Sequence, residues 1–265
     1  MVISLKGALL VASLDKPGSD PGVDCCDTQS PQAIPDSGIG EIVITSRGLD
    51  EYRAMFALSV ADLDATILDC PGGASSATAE INTAGGHSMA ADPLYGRQLA
   101  ATDLALFIQA ETDRGNAYVR DHPDEYRWTF FRSPEHHHQS RSQAGRLFVR
   151  DYHAYPNNYV AAELPRLPFA THTFDLVLSS HLLFTYADRL SPAFHHQAIN
   201  ELMRVTRTEL RIFPLVAMGS IRYDLDNLLG GLRADGVHGE VIAVDYEFQA
   251  GGNQMLVCTR VDTAT

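Results

Sequence analysis

Lysine is nearly missing from this chain. Only Lys6 and Lys16 occur, and arginine supplies the rest of a basic count of 20 set against 33 acids. The formal charge is therefore −13. Phosphate backbones are held by clustered Lys and Arg, so a nucleic-acid partner is disfavoured. A small acid held by a single Arg remains compatible with this balance. Long apolar runs are missing too: nothing approaches the ~20 residues of a membrane span, which argues against a membrane partner. Ile3 to Leu14 is a brief apolar patch without a basic start or a convincing cleavage site, so it is not read as a signal peptide. Cysteine is too sparse for a framework. Cys25 and Cys26 are adjacent, Cys70 and Cys258 stand alone, and all four read as reduced thiols. Residues 15–40 are rich in Pro, Asp, Ser and Gly without a sustained period, so residues 1–41 are read as a flexible extension. The domain proper then covers 42–265, and that length suffices for a sizeable core.

The most informative stretch present is Thr66-Ile-Leu-Asp-Cys-Pro-Gly-Gly-Ala-Ser-Ser-Ala77. A short apolar run ends in an acid, turns through Pro71-Gly72-Gly73, and enters a helix expected over Ala74–Ala84. That is the start of a mononucleotide-binding βαβ unit. The glycines allow close backbone approach because they lack Cβ and tolerate positive φ. Gly86 to Asp92 reads as the next strand, and Asp92 follows Asp69 by 23 residues. An acid at about that spacing accepts hydrogen bonds from ribose hydroxyls. The turn lacks the third glycine of G-x-G-x-x-G, which a nicotinamide site requires for its pyrophosphate. The acid before the turn instead suits a ligand with a positive amine and no phosphate, such as the methionine end of S-adenosylmethionine.

At this point the sequence resembles the class I S-adenosylmethionine-dependent methyltransferases, whose first motif is an acid followed by a Gly-rich turn. A second block strengthens the resemblance: Tyr159-Val-Ala-Ala-Glu-Leu-Pro-Arg-Leu-Pro-Phe, then Phe174-Asp-Leu-Val-Leu-Ser-Ser180. It looks like the family's strand, acid, Leu-Pro-Phe, turn and buried strand. Glu163 stands where the family usually has an Asp that reads adenine, and Pro165 is an extra departure. Ala198 to Val216 continues with a helix and a fifth strand in family style, with Ile199, Leu202, Met203 and Val205 near helical spacing. The likeness spans about residues 42–261 and is nearest to a bacterial group with this Asp-Cys-Pro-Gly/Ala-Gly turn and no settled substrate. It implies a Rossmann-like α/β fold, with a seven-stranded mostly parallel sheet, a closing antiparallel hairpin and a helical insertion at about 97–157. It also implies S-adenosylmethionine bound by Asp69, Cys70, Pro71, Gly72, Gly73 and Ser75, with Asp92 and Pro93 at the ribose. Glu163 and Leu164 would face the adenine, Ser179 and Ser180 the methyl, and Tyr52 and Phe56 would lie over the cofactor. A cytosolic cofactor pool places such an enzyme in the cytoplasm, acting on a small molecule as monomer or homodimer.

The remaining readings come from pattern. Ser46 to Leu58 reads as a capped amphipathic helix whose Leu49, Tyr52, Met55 and Phe56 either pack on the sheet edge or cover the cofactor. Leu94 to Thr112 reads as a helix, extended through Arg114–Asp121 and interrupted by Pro123. Trp128, Phe130, Tyr152 and Tyr155 wall a pocket or form the insertion's own core. The His136–His138 run and His195-His196 cannot share one metal ion, since facing helical positions are i and i+3 or i+4, and they read as solvated. Ile221 to Leu232 looks helical. Gly239–Phe248 and Gln254–Val261 read as a hairpin joined by Ala250–Asn253. His181, just past the fourth strand, is either a general base or a packed histidine; Tyr186, Asp188, Tyr152 and His153 are lesser candidates. Three alternatives stay open: a SAM-binding protein without methyl transfer, a nicotinamide-dependent enzyme on a similar sheet, and a scaffold protein.

Overall fold

The computed structural model describes residues 42–261. The expected extension over 1–41 and the Cys25–Cys26 pair lie outside the described residues. Two short helices, α1 (Leu49–Met55) and α2 (Val60–Leu63), lead into β1 (Thr66–Asp69), α3 (Ala77–Thr83) and β2 (His87–Ala91). Two 21-residue helices follow, α4 (Ala101–Asp121) and α5 (Pro134–Ala154), before β3 (Tyr159–Val160) and β4 (Phe174–Ser180). The chain continues through α6 (Pro192–Val205), β5 (Thr206–Phe213), β6 (Val216–Ala217), β7 (Ile221–Arg222), α7 (Asp226–Ala234), β8 (Val237–Ala243) and β9 (Gln254–Arg260).

The main sheet has the order β3-β2-β1-β4-β5-β9-β8. The first five strands are parallel, and β9 runs antiparallel between β5 and β8. This is the Rossmann-like methyltransferase arrangement expected from the sequence. Successive side chains of a strand face opposite sides. Leu68 and Val177 accordingly join Ile199, Leu202 and Leu210 in one core layer under α6 and α7. Ile67, Leu176 and Leu178 join Tyr52, Met55, Phe56 and Ile81 in the other. Strands so covered on both faces must read as continuous apolar runs, which is why β1 and β4 do. A third apolar cluster, containing Ile108, Phe148, Tyr95 and Tyr159, ties α4 and α5 to the β2–β3 edge.

Several boundaries differ from the sequence reading, each for a local reason. The first helix starts at Leu49 rather than at Ser46: Gly48 occupies the cap position without a side-chain bond, and the Leu49 amide donates to Glu80 Oε1 at 3.0 Å instead. Residues 93–97 form a 3₁₀ turn started by Asp92, so α4 begins only at Ala101. Ile221–Arg222 pairs with Val216–Ala217, which delays α7 to Asp226. The hairpin connection is residues 244–253, longer than the four expected, because Tyr246 and Phe248 leave the sheet to enter the core. Two histidines expected in solvent are buried. His137 stacks on Phe248 at 4.7 Å, and His195 Nε2 lies 2.6 Å from the accepting carbonyl of Leu183, with Nδ1 2.9 Å from that of Ser191. Among the described residues no helix is long and apolar enough to cross a membrane, and no group of His, Cys, Asp and Glu is arranged to hold a metal.

Candidate functional site

Strand order reverses between β1 and β4, and open α/β sheets bind ligands outside the strand carboxyl ends at such a point. Asp69 ends β1, Asp92 follows β2 directly, and Ser179, Ser180 and His181 end β4 or follow it. The two acids flank the glycine turn. Both Asp69 oxygens accept from the Tyr52 hydroxyl, at 3.1 and 2.9 Å. Asp92 accepts from the Gly73 amide at 2.9 Å and from the Leu94 amide at 2.8 Å. Both carboxyls are buried, and among the described residues neither forms an ion pair. Burial pushes Asp69 up to about 8; the Tyr52 hydrogen bond pulls against this, and the Asp92 charge adds to it. Burial also raises Asp92, against the pull of its two backbone donors.

The turn is closed on itself. The amides of Gly72, Ala74, Ser75 and Ser76 donate to the carbonyls of Ala91, Thr45, Gly72 and Arg47, and the Ala77 amide donates to Ser75 Oγ. With Gly73 bonded to Asp92, no donor from 72 to 77 is left for a phosphate. Gly73 needs its φ of +52°. At Gly72 a Cβ would stand 2.6 Å from the Tyr95 hydroxyl, so this glycine lets Tyr95 seat against the turn and donate to the Gly73 carbonyl. The segment Val43–Arg47 lies over the turn through Thr45 and Arg47, and is itself held by Val43 N donating to Tyr186 Oη at 3.0 Å.

On the other side of that segment is a cavity of about 100 Å³. Its wall includes Ser46, Arg47, Thr112, Arg141, His181 and Thr185. Beneath it, Arg141 grips Glu51 bidentately, with Nη2 to Oε1 at 2.7 Å, and Tyr246 donates to Glu51 at 2.6 Å. Burial alone would raise Glu51; the Arg141 guanidinium, helped by Arg47 and the Tyr246 hydroxyl, outweighs it and holds the acid below the usual carboxylate range. Arg47 lies 3.5 Å from Glu51, and burial, then Arg141, lowers its pKa. His181 adopts φ +50°, a sparsely populated conformation that tends to mark functional sites. Its Nδ1 is 2.8 Å from Ser180 Oγ, and its backbone amide donates to Phe213 O. Burial, then Arg47 and Arg141, drives its pKa well below the ordinary value, so the ring is neutral at neutral pH.

The sequence-derived candidates divide accordingly. Asp69, Gly72, Gly73, Ser75, Asp92, Tyr52, Ser179, Ser180, His181 and Tyr186 gather around the turn and the cavity, with Ser179 Oγ buried and unpartnered. Others do not. Phe56 is fully buried between Tyr52 and Phe213 as core. Cys70 and Leu164 pack in the apolar layer under α6, and burial, then Asp92, raises the Cys70 thiol. Pro71 is half-buried and Pro93 exposed. Glu163 is exposed and bridges through its backbone to Arg166. His153 is exposed on α5, against Tyr152, and does not line the cavity. Pattern reading passed over Arg47, Glu51 and Arg141. A signal was present for two of them: Glu51 adjoins the buried Tyr52 and Met55 stripe, and Arg141 shares a face with Ala144, Gly145 and Phe148. A charge on an apolar stripe has to find a buried partner.

No family model matches the chain. It is 28% identical over 222 residues to the uncharacterized protein MJ0045 of Methanocaldococcus jannaschii, covering 83% of this chain and 97% of that one. Among solved structures it is similar to the magnesium protoporphyrin IX methyltransferase of Synechocystis PCC 6803 with bound SAM, at 12% identity, TM-score 0.44, and 80% and 77% coverage of the two chains. It is likewise similar to the Burkholderia thailandensis 1,6-didemethyltoxoflavin-N1-methyltransferase, at 13% identity, TM-score 0.44, and 79% and 78% coverage. The fold rests independently on the sheet order.

Proposed function

We propose that this chain is an S-adenosylmethionine-dependent methyltransferase that acts on a small molecule at oxygen or nitrogen. One observation carries the reading: two buried carboxyl groups, Asp69 and Asp92, flank the glycine turn without a paired cation, while every amide of that turn is already bonded. A buried acid without a counter-charge is costly unless a cation joins it. A sulfonium nucleoside with an α-ammonium supplies positive charge and needs no phosphate donors; a dinucleotide needs the reverse. When bound, that cofactor supplies an electrophilic methyl for in-line displacement, a reaction governed by positioning.

The chain's own residues then have distinct tasks. Tyr52 orients Asp69, Asp92 receives the ribose hydroxyls on lone pairs its two backbone donors leave free, and Ser179 to His181 border the reacting face. Neutral His181 takes a proton from the acceptor at Nε2 when its Nδ1–H donates to Ser180 Oγ, which fixes the needed tautomer. The cofactor's cellular pool assigns the enzyme to the cytoplasm. The test is calorimetric titration with S-adenosylhomocysteine and, separately, NAD. Saturable micromolar binding of the first alone is expected; binding of NAD alone, or of neither, rejects the reading.

A further inference from the structure

Four polar atoms without a hydrogen-bond partner are buried in residues that line one cavity: Ser46 Oγ, Arg47 Nε, Thr112 Oγ1 and Thr185 Oγ1, with Arg47 Nε also 3.5 Å from Glu51 Oε1 as an ion pair. Their residues are 1%, 8%, 7% and 4% exposed. Folded proteins leave few such groups, and four sharing one wall ask for a common partner. All four can donate a hydrogen, and the guanidinium nitrogen can only donate, which favours an acceptor as the partner. Its charge follows from the ions beneath. Arg47 and Arg141 bring two guanidiniums against the single carboxylate of Glu51, leaving one positive charge over. Glu111 also faces the cavity, but its carboxylate is taken by Arg114 at 2.8 Å and by the Ile44 amide at 2.9 Å.

We propose that this cavity receives a carboxylate of the methyl acceptor, bound by Arg47 Nε and the hydroxyls of Ser46, Thr112 and Thr185; the inference rests on the methyltransferase reading above. At about 100 Å³ the space is smaller than the ~150 Å³ apolar cavity known to hold benzene, so it takes a carboxylate on a short stem. The rest of the acceptor lies toward His181, which lines the same cavity. A buried guanidinium is suited to an anion because Arg keeps its charge and presents donors in a fixed fork. Arg47 also joins the two halves of the site, since its carbonyl holds Ser76 and Ser75 of the turn while its side chain faces the cavity.

The test follows the arginine Nε–H resonances and the Gly72 and Gly73 amides by NMR while full-length protein is titrated with acetate, acetamide or S-adenosylhomocysteine. Acetate is expected to shift the Arg47 resonance saturably in the millimolar range, and the uncharged acetamide at least tenfold more weakly. Arg47→Gln should abolish the difference between the two. If that variant does not fold, Thr112→Val, which removes one wall hydroxyl, should weaken acetate three- to tenfold. Equal affinity for acetate and acetamide, with S-adenosylhomocysteine still shifting the glycine amides, overturns the carboxylate assignment and spares the methyltransferase reading. Acetate binding without any response to S-adenosylhomocysteine overturns the acceptor role and that reading together, leaving only an anion site.

Discussion

At the scale of single residues, the site is a set of titratable groups kept from water, each constrained by identifiable neighbours. Asp69 has Tyr52, Asp92 has two backbone amides, and Glu51 has Arg141. His181 differs, because among the described residues its ring's hydrogen bond is to Ser180 Oγ and its ring contact is a tilted one with Phe213. A base that works as neutral imidazole and is held there by burial does not need its proton removed at moderately acid pH. His181→Ala is therefore expected to lower kcat by about 10² to 10⁴, the usual worth of a positioned base, while S-adenosylhomocysteine affinity changes less than about threefold. Steady-state kinetics alongside calorimetry reads both. Unchanged kcat removes His181 from the chemistry, and an equal loss in both assigns it to binding.

At the scale of elements, the decisive piece is Val43–Arg47. It bonds to the turn on one side, forms the cavity wall on the other, and is fastened by the Tyr186 hydroxyl. Under the proposed reading, a ligand reaching Asp69 and Asp92 would displace this segment. Stopped-flow mixing with S-adenosylhomocysteine, followed through Trp128 against Phe248, should give an observed rate that levels off with ligand concentration. Tyr186→Phe leaves the Val43 amide unpaired in the closed form, at a cost of about 1 kcal/mol, and should raise the plateau about fivefold. A rate linear in ligand throughout contradicts the gate.

This segment also shows where sequence reading stopped. The strands and the glycine turn were legible because two-sided burial forces continuous apolar runs and a tight turn forces glycine. Nothing local announced that Ser46 would face a cavity instead of capping α1, or that Glu51 would be gripped by Arg141, 90 residues away. His137 and His195 misled for the same reason: their partners, Asn116 and the Leu183 carbonyl, come from other elements. Glu163 fits the family pattern by position yet faces solvent, so spacing alone did not assign its side chain.

For the whole molecule, under the proposed reading the charge of −13 would draw a cationic cofactor toward the protein and repel an anionic acceptor until it reaches the buried guanidiniums. Binding of the proposed cofactor then turns on one proton. Burial raises Asp69 from its ordinary 3.8 to about 8, so the free protein carries that proton at pH 7. Folding thus holds a proton the unfolded chain has already released, and Asp69's contribution to stability falls as pH rises from 3.8 to about 8. A cation beside Asp69 lowers its pKa and expels the proton. The most direct measurement is calorimetry of S-adenosylmethionine binding at pH 7 in two buffers of different ionisation enthalpy, for wild type and Asp69→Asn. Release of about one proton by the wild type and none by the variant is expected. Tight binding with equal proton release by both proteins would show that the cofactor's positive end does not meet Asp69.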